Sequence, residues 1–314
     1  MTNSPRIVFL GNHTLGVRVL GVIRRLATLV GVVAHPEDPE DGVRYESVFS
    51  EARRLEVPTI RIQGKRPELE GFVRKCSPDL LWITDYRYLL PERILALAPR
   101  GAVNLHPSLL PKYRGRAVVN WAILRGETEF GLTAHFVDAG MDTGDIIAVR
   151  RFGLTQAEDV GDALDKLYPL YESVAAEVLT GFCHGNVPRR AQDHTQATEF
   201  PRRTPADGLI DWSAPAREVW NLIRAVAAPY PGAFCPWNQS RLRIWRASGI
   251  QLFSPGAVPA PGEVLDISAD GQTMVVACRD AGLVIGRYEV EEAFGSAGLR
   301  PGNRLGATSE LVSV

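Results

Sequence analysis

The chain has 314 residues, 45% of them hydrophobic, enough to fill one large core and one smaller one. Lys and Arg total 35 against 36 Asp and Glu, which excludes a general electrostatic attraction to nucleic acid or to an anionic membrane surface. Cys76, Cys183, Cys235 and Cys278 lie far apart, with no C-x-x-C pair and no metal-ligand spacing to the histidines, so reduced buried thiols and no metal are expected.

The polar opening Met1 to Arg6 runs straight into a strand-like Ile7 to Leu10, and no apolar run approaches the roughly 20 residues of a membrane span. A cytoplasmic protein without a membrane partner is expected. Further apolar strand-length runs follow at Leu29 to Ala34, Thr59 to Ile62, Leu80 to Thr84 and Ala102 to Leu105. The segments between them are long enough for crossover helices, which predicts a mostly parallel, Rossmann-like sheet with helices on both faces. The first strand turns through Gly11-Asn12-His13-Thr14-Leu15-Gly16 into a helix, a position where α/β folds bind ligands. The turn is not G-x-G-x-x-G, so a dinucleotide is a weak expectation.

From Thr155 a Thr-x-x-Glu box ending at Glu158 is expected to cap a long helix whose stripe runs Val160, Leu164, Leu167, Tyr171, Val174, Val178. Core packing accounts for that stripe. The polar, Pro-punctuated stretch that follows divides the chain into a domain at 1–192, a linker at 193–204 and a second domain at 205–314. The latter offers a helix, Ala214 to Ala227, and short strands at Leu242 to Trp245, Glu263 to Ile267, Thr273 to Ala277 and Leu283 to Arg287. A small OB-like β-barrel is expected there.

The chemistry concentrates between Ala102 and Ile146. Asn104 and His106 are two apart at the end of a strand, so an amide and an imidazole share one face. Asp142, on a glycine-punctuated loop, can return over the same crevice and orient the imidazole. These types suit acyl transfer by direct attack, with Asn104 and a protonated His106 stabilising an oxyanion and no Ser or Cys nucleophile in an elbow. They equally suit a satisfied turn and a loop cap, and taken singly they leave both readings open.

Together, Asn104-Leu-His106-Pro-Ser-Leu-Leu-Pro111 and Asp138-x-Gly140-x-Asp142-Thr-Gly-Asp145 resemble the signature of the 10-formyltetrahydrofolate-dependent formyltransferases, and the resemblance covers nearly the whole chain. It implies that Asn104, His106 and Asp142 are the catalytic trio. It also implies that backbone of two loops holds the pterin of 10-formyltetrahydrofolate, here Tyr86, Arg87, Leu89 and Leu90 in one and Val137, Asp138, Ala139 and Gly140 in the other. Without the family, Tyr86 and Leu90 read as ordinary packing after a buried strand.

Within the family, Asp85-Tyr-Arg-Tyr-Leu, Pro111-Lys-Tyr-Arg-Gly-Arg116, Asn120-Trp and Arg202-Arg-Thr-Pro-x-Asp resemble the formyltransferase half of the enzymes acting on a UDP-linked 4-amino-4-deoxy sugar. Pro107 and Asp142-Thr-Gly-Asp145 depart from it, the latter toward methionyl-tRNA formyltransferase. The tRNA branch carries a basic insertion after the second strand, whereas this chain has the acidic His35-Pro-Glu-Asp-Pro-Glu-Asp-Gly42, and its second domain has no lysine. The expected acceptor is therefore a small amine, a nucleotide-linked amino sugar, rather than nucleic acid. Lys112, Arg114, Arg116 and Arg87 are expected to meet its phosphates, with His13 near the acceptor, although a lone His in such a turn more often caps or faces solvent. Other readings are methionyl-tRNA formyltransferase, a hydroxyornithine formyltransferase, a formyl-folate hydrolase and a silent folate-binding protein. An exposed apolar barrel face would support a homodimer.

Overall fold

The computed structural model describes residues 4–36, 45–63, 68–238, 240–291 and 299–306. Most of the acidic segment between His35 and Gly42 lies outside these residues. The first domain runs β1 (Arg6–Gly11), α1 (His13–Leu26), β2 (Thr28–Ala34), α2 (Val48–Arg54), β3 (Thr59–Arg61), α3 (Glu68–Cys76), β4 (Leu80–Thr84), α4 (Glu92–Leu95), β5 (Ala102–His106), β6 (Arg114–Gly115), α5 (Val118–Leu124), β7 (Glu129–Phe136), β8 (Ile146–Gly153) and α6 (Val160–His184). Its seven-stranded sheet has the order β3-β2-β1-β4-β5-β7-β8. The strands from β3 to β5 are parallel, while β7 and β8 pair antiparallel beyond them.

Both faces of this sheet are covered, and strand alternation sorts the side chains between them. Ile7, Phe9, Leu80, Trp82, Val103 and Leu105 join one buried cluster, which includes residues of α1 and α6. Val8, Leu10, Leu81, Ile83 and Ala102 join the other, with α3 and α4. Successive strands extend to one side of β1 as β2 and β3, and to the other as β4 and β5. The reversal opens a crevice beyond the carboxyl ends of β1 and β4, the place where open α/β sheets bind ligands. The segments leaving β1, β4 and β5 all emerge there.

The helix α6 starts later than the Thr155 box implies. Asp159 is its cap, accepting from the N–H groups of Gly161 and Asp162, and Asp162 returns the bond to Asp159. Glu158 accepts from the Thr155 N–H at 2.7 Å and closes a separate turn ahead of the helix. Its stripe also does more than pack, because Leu164, Leu167 and Tyr171 wall the cavity described below.

The second domain has its own core, including Ile210, Trp212, Ile223, Leu242, Ile244, Val276 and Leu283. It consists of α7 (Ala216–Ala225) and a five-stranded antiparallel sheet, β10-β11-β14-β13-β12, formed by β10 (Ala233–Trp237), β11 (Ser240–Gln251), β12 (Val264–Ile267), β13 (Met274–Ala277) and β14 (Gly282–Glu291). The sequence reading missed β10, whose Pro236 argues against a strand. It also shortened β11, whose pairing with β14 is broken by register shifts that interrupt simple alternation. Polar side chains dock α7 on the first domain. Asn120 Nδ2 donates to the Ala225 carbonyl at 2.7 Å, Asn221 Nδ2 to Leu124 O at 3.5 Å, and Arg224 Nη1 to Thr155 O at 2.9 Å.

The linker is not loose chain. Glu199–Phe200 forms β9, which pairs parallel with β6, and the Phe200 ring stacks on Tyr113 at 4.9 Å and lies against Trp121 at 5.4 Å. Cys76, Cys235 and Cys278 are buried free thiols as expected, but Cys183 is only half-buried. Among the described residues no helix is long and apolar enough to cross a membrane.

Trp82 is fully buried at the sheet centre, and its indole N–H has no hydrogen-bond partner among the described residues. Trp82→Ala is expected to cost about 3–5 kcal/mol of unfolding free energy in denaturant titration. Trp82→Phe should cost clearly less, because no hydrogen bond is lost with the indole nitrogen.

Candidate active site

The β5 pleat sends Asn104 and His106 to one side, and antiparallel pairing sets Asn104 opposite His135 of β7. His135 is 1% exposed, and its Nδ1 donates to the Phe136 carbonyl at 2.7 Å. That leaves Nε2 as the acceptor facing the Asn104 amide at 3.2 Å. The sequence reading gave His135 no role. Its signal was a lone imidazole within the otherwise apolar run from Leu132 to Val137, which strand register alone turns toward Asn104.

Asp142 closes the group from the loop between β7 and β8. Its Oδ1 accepts from Asn104 Nδ2 at 3.4 Å and lies 3.5 Å from His135 Nε2, while Oδ2 accepts from the Gly115 N–H at 3.0 Å and lies 3.6 Å from His106 Nδ1. Gly115 must be glycine: its φ is 98°, and a Cβ there would stand 2.3 Å from the Phe200 carbonyl oxygen. Burial pushes the Asp142 carboxyl up, but attraction to the neighbouring imidazoles when they carry a proton, together with the Gly115 N–H, outweighs it and holds the group below the usual carboxylate range. The carboxylate is ionised.

His106 is 5% exposed. Its Nε2 donates to the Tyr113 carbonyl at 2.7 Å, which leaves Nδ1 toward Asp142. Burial lowers its pKa, and the opposing pull of Asp142 and of the Tyr113 carbonyl does not restore it. The resting imidazole is therefore neutral, because desolvation disfavours the cation. A neutral Nδ1 beside an ionised carboxylate is a pair of acceptors awaiting one proton. A proton released by an attacking amine can settle between them, and the imidazolium so formed appears only as negative charge develops on the oxygen under attack.

These residues line a cavity of about 410 Å³, within the size range of small-molecule sites. The expected residues Tyr86, Arg87, Leu89, Leu90, Val137 and Gly140 line it, as do His13 and Arg116. Leu89 is 61% exposed at its wall while Leu90 is buried. Asp138 and Ala139 are not among the lining residues; the Asp138 carboxylate accepts from the Gly140 N–H and the Thr143 hydroxyl and so shapes its own loop. Lys112 borders a separate cleft of about 70 Å³, and Arg114 is 4% exposed, bonded to Gln192 and His194 behind the site. Neither projects into the main cavity. Arg202, Arg203, Tyr45, Tyr168 and Tyr230 do line it. His13 is no solvent-facing cap, since its Nδ1 lies 2.6 Å from Asp85 Oδ2 and its ring stacks on Tyr45. Among the described residues no group of three or more His, Cys, Asp or Glu is arranged to hold a metal.

His35, also without a role in the sequence reading, supports the first expected pterin loop from behind. Its Nδ1 donates to Ile62 O at 2.9 Å, its Nε2 accepts from the Arg87 N–H at 3.0 Å, and Tyr86 stacks on it at 4.6 Å. Burial, with the nearby Arg87 charge as a smaller contributor, lowers its pKa to about 4. The unfolded chain takes up this proton near the ordinary value, so the stability is present above pH 6.5 and is lost as pH falls toward 4. Unfolding titrations should show a loss of about 3 kcal/mol across that window from this group, and His35→Gln should flatten the slope.

Residues 6–179 match the formyl transferase family, and residues 202–293 match the formyl transferase C-terminal domain. The N-formyltransferase from Helicobacter canadensis, solved with folinic acid and dTDP-3-aminofucose, shares the fold at TM-score 0.68 and 18% identity, over 90% of this chain and 99% of that one. WlaRD, a sugar 3N-formyl transferase solved in the presence of dTDP and 5-N-formyl-THF, gives TM-score 0.67 and 18% identity over 90% and 97%. Methionyl-tRNA formyltransferase from Clostridium thermocellum gives 0.54 and 19% over 92% and 99%. The catalytic-domain match alone spans more than half of the sequence, and the chain is accordingly a member of the formyltransferase family.

Proposed function

We propose that this formyltransferase moves a formyl group from 10-formyltetrahydrofolate to the primary amine of a nucleotide-linked amino sugar. The observation that carries the reading is a single cavity whose wall holds both Asn104, His106 and Asp142 and the guanidinium-bearing residues Arg87, Arg116, Arg202 and Arg203. An amine-bearing ligand with a pyrophosphate suits both parts, because guanidinium groups bind phosphate oxygens through paired, charge-assisted bonds. The sugar formyltransferases of this fold solved with dTDP or dTDP-3-aminofucose add support. Arg116, Arg202 and Arg203 take the phosphate role in this reading, and Lys112 and Arg114 do not.

A folate carrier fits the residues present. The loops bearing Tyr86 to Leu90 and Val137 to Gly140 supply wall to the same cavity as the trio. When bound, the carrier supplies an activated formyl carbon. The amine attacks that carbon directly, the Asn104 amide donates to the formyl oxygen, and the amine proton passes to the His106 and Asp142 pair, which returns it to the carrier nitrogen as the bond between that nitrogen and the formyl carbon breaks. Arrival of that proton charges His106 next to the developing oxyanion, which is stabilisation present in the transition state and absent from the ground state.

Following tetrahydrofolate release with a panel of nucleotide-linked amino sugars, hydroxyornithine and charged initiator tRNA tests the acceptor. Turnover with an amino sugar alone is expected; turnover with the tRNA alone overturns the reading, and release without any acceptor marks a hydrolase. Asn104→Ala should slow single-turnover transfer about 10²–10³-fold, ~2.7–4 kcal/mol of transition-state stabilisation, with folate affinity nearly unchanged. Asp142→Asn should bind both substrates and lose most turnover. Wild-type rates in either variant would remove that residue from the chemistry.

A further inference from the structure

Asp142 is held from two directions. Its backbone has φ 55°, a left-handed conformation that a residue with a side chain keeps only where its surroundings fix it. Gln192, 6% exposed, supplies the fixing contacts. Its Nε2 donates to the carbonyls of Asp142 at 2.8 Å and of Gly144 at 2.7 Å. Its Oε1 accepts from Arg114 Nη2 at 2.7 Å, and that guanidinium also reaches His194 Nδ1 at 2.9 Å. Gly115, next in sequence to Arg114, is the residue whose N–H holds the Asp142 carboxylate. The bonds form a closed circuit: Gln192 grips the backbone of Asp142, β6 grips its side chain, and Arg114 ties the two grips together. Neither Gln192 nor Arg114 lines the cavity, so both act from behind it.

We propose that Gln192, anchored by Arg114, is a positioning residue that sets the Asp142 carboxylate against His106 and Asn104. A carboxamide suits the place, since two donors meet two carbonyls and one acceptor meets the guanidinium; a carboxylate keeps only the acceptor and an alanine keeps neither. Gln192 opens the segment that continues through β9 to the second domain. The register of that segment on β6 therefore bears on the reacting geometry. This inference rests on the reading of Asp142 as proton acceptor.

The test compares Gln192→Glu, which retains the Arg114 contact and removes both donors, with Arg114→Lys, which leaves the amide in place on a looser anchor. The first readout needs no acceptor: ¹⁵N chemical shifts report the His106 imidazole, whose titration should move lower in Gln192→Glu because the carboxylate that raises it has shifted. Single-turnover transfer should fall about tenfold to a hundredfold in Gln192→Glu, the scale of a small misplacement of a reacting group. It should fall less in Arg114→Lys, with substrate affinities held in both. Added to Asp142→Asn, Gln192→Glu should cost nothing further. An unmoved His106 titration with a wild-type rate in both variants overturns the proposal, as does a full additional loss in the Asp142→Asn background. If Asp142→Asn alone transfers at the wild-type rate, the proton-acceptor reading fails, and the His106 titration still reports whether Gln192 places the carboxylate.

Discussion

The arrangement of the site turns on one buried negative charge. An ionised carboxylate taken out of water is stable only where donors replace its hydration, and Asp142, with its side chain 13% exposed, accepts from one backbone N–H and one amide, with two imidazoles beside it that can take up a proton. Those four partners come from three strands: Asn104 and His106 from β5, His135 from β7, Gly115 from β6. The charge therefore draws three strands and a loop into agreement, and most of the local peculiarities follow from it. Gly115 has to be a glycine because its amide must reach the carboxylate while the linker passes directly over it.

That constraint reaches beyond the catalytic domain. The segment at 193–204 runs through β9 onto β6, seats Phe200 between Tyr113 and Trp121, and then places Arg202 and Arg203 on the cavity wall. The Tyr113 carbonyl, at the edge of the same stack, fixes the tautomer of His106. One stretch that reads as a connector thus borders the site from both sides.

Much of the fold was legible where the signal was local. Strands such as β1 and β4 are buried on both faces and appear as continuous apolar runs, and the spacing of Asn104 and His106 shows their common face without any structure. What escaped the sequence depends on partners distant along the chain. His135 matters because antiparallel register sets it opposite Asn104, and His35 because Arg87 donates to it across about fifty residues. Arg114 looked like a phosphate ligand because a guanidinium beside a motif is ambiguous until its burial is known. The resting neutrality of His106 was hidden for the same reason, since desolvation belongs to the folded environment and not to the residue type. In the second domain β10 was hidden by Pro236, and the β11 bulges blurred its alternation.

The docking of α7 has a consequence for how the two halves can vary. Three of its polar bonds end on main-chain carbonyls, those of Ala225, Leu124 and Thr155, so each of these ties down a side chain on one partner only, while Arg217 Nη1 donates to the Gln156 side chain at 2.9 Å on the exposed rim. A carbonyl is present whatever residue occupies the position. Substitutions at Leu124, Thr155 or Ala225 that keep the local backbone leave those bonds available, whereas Asn120, Asn221 and Arg224 have no such latitude. At those three contacts sequence drift is thereby asymmetric, with three side chains under restraint and their counterparts released from any need to change in step.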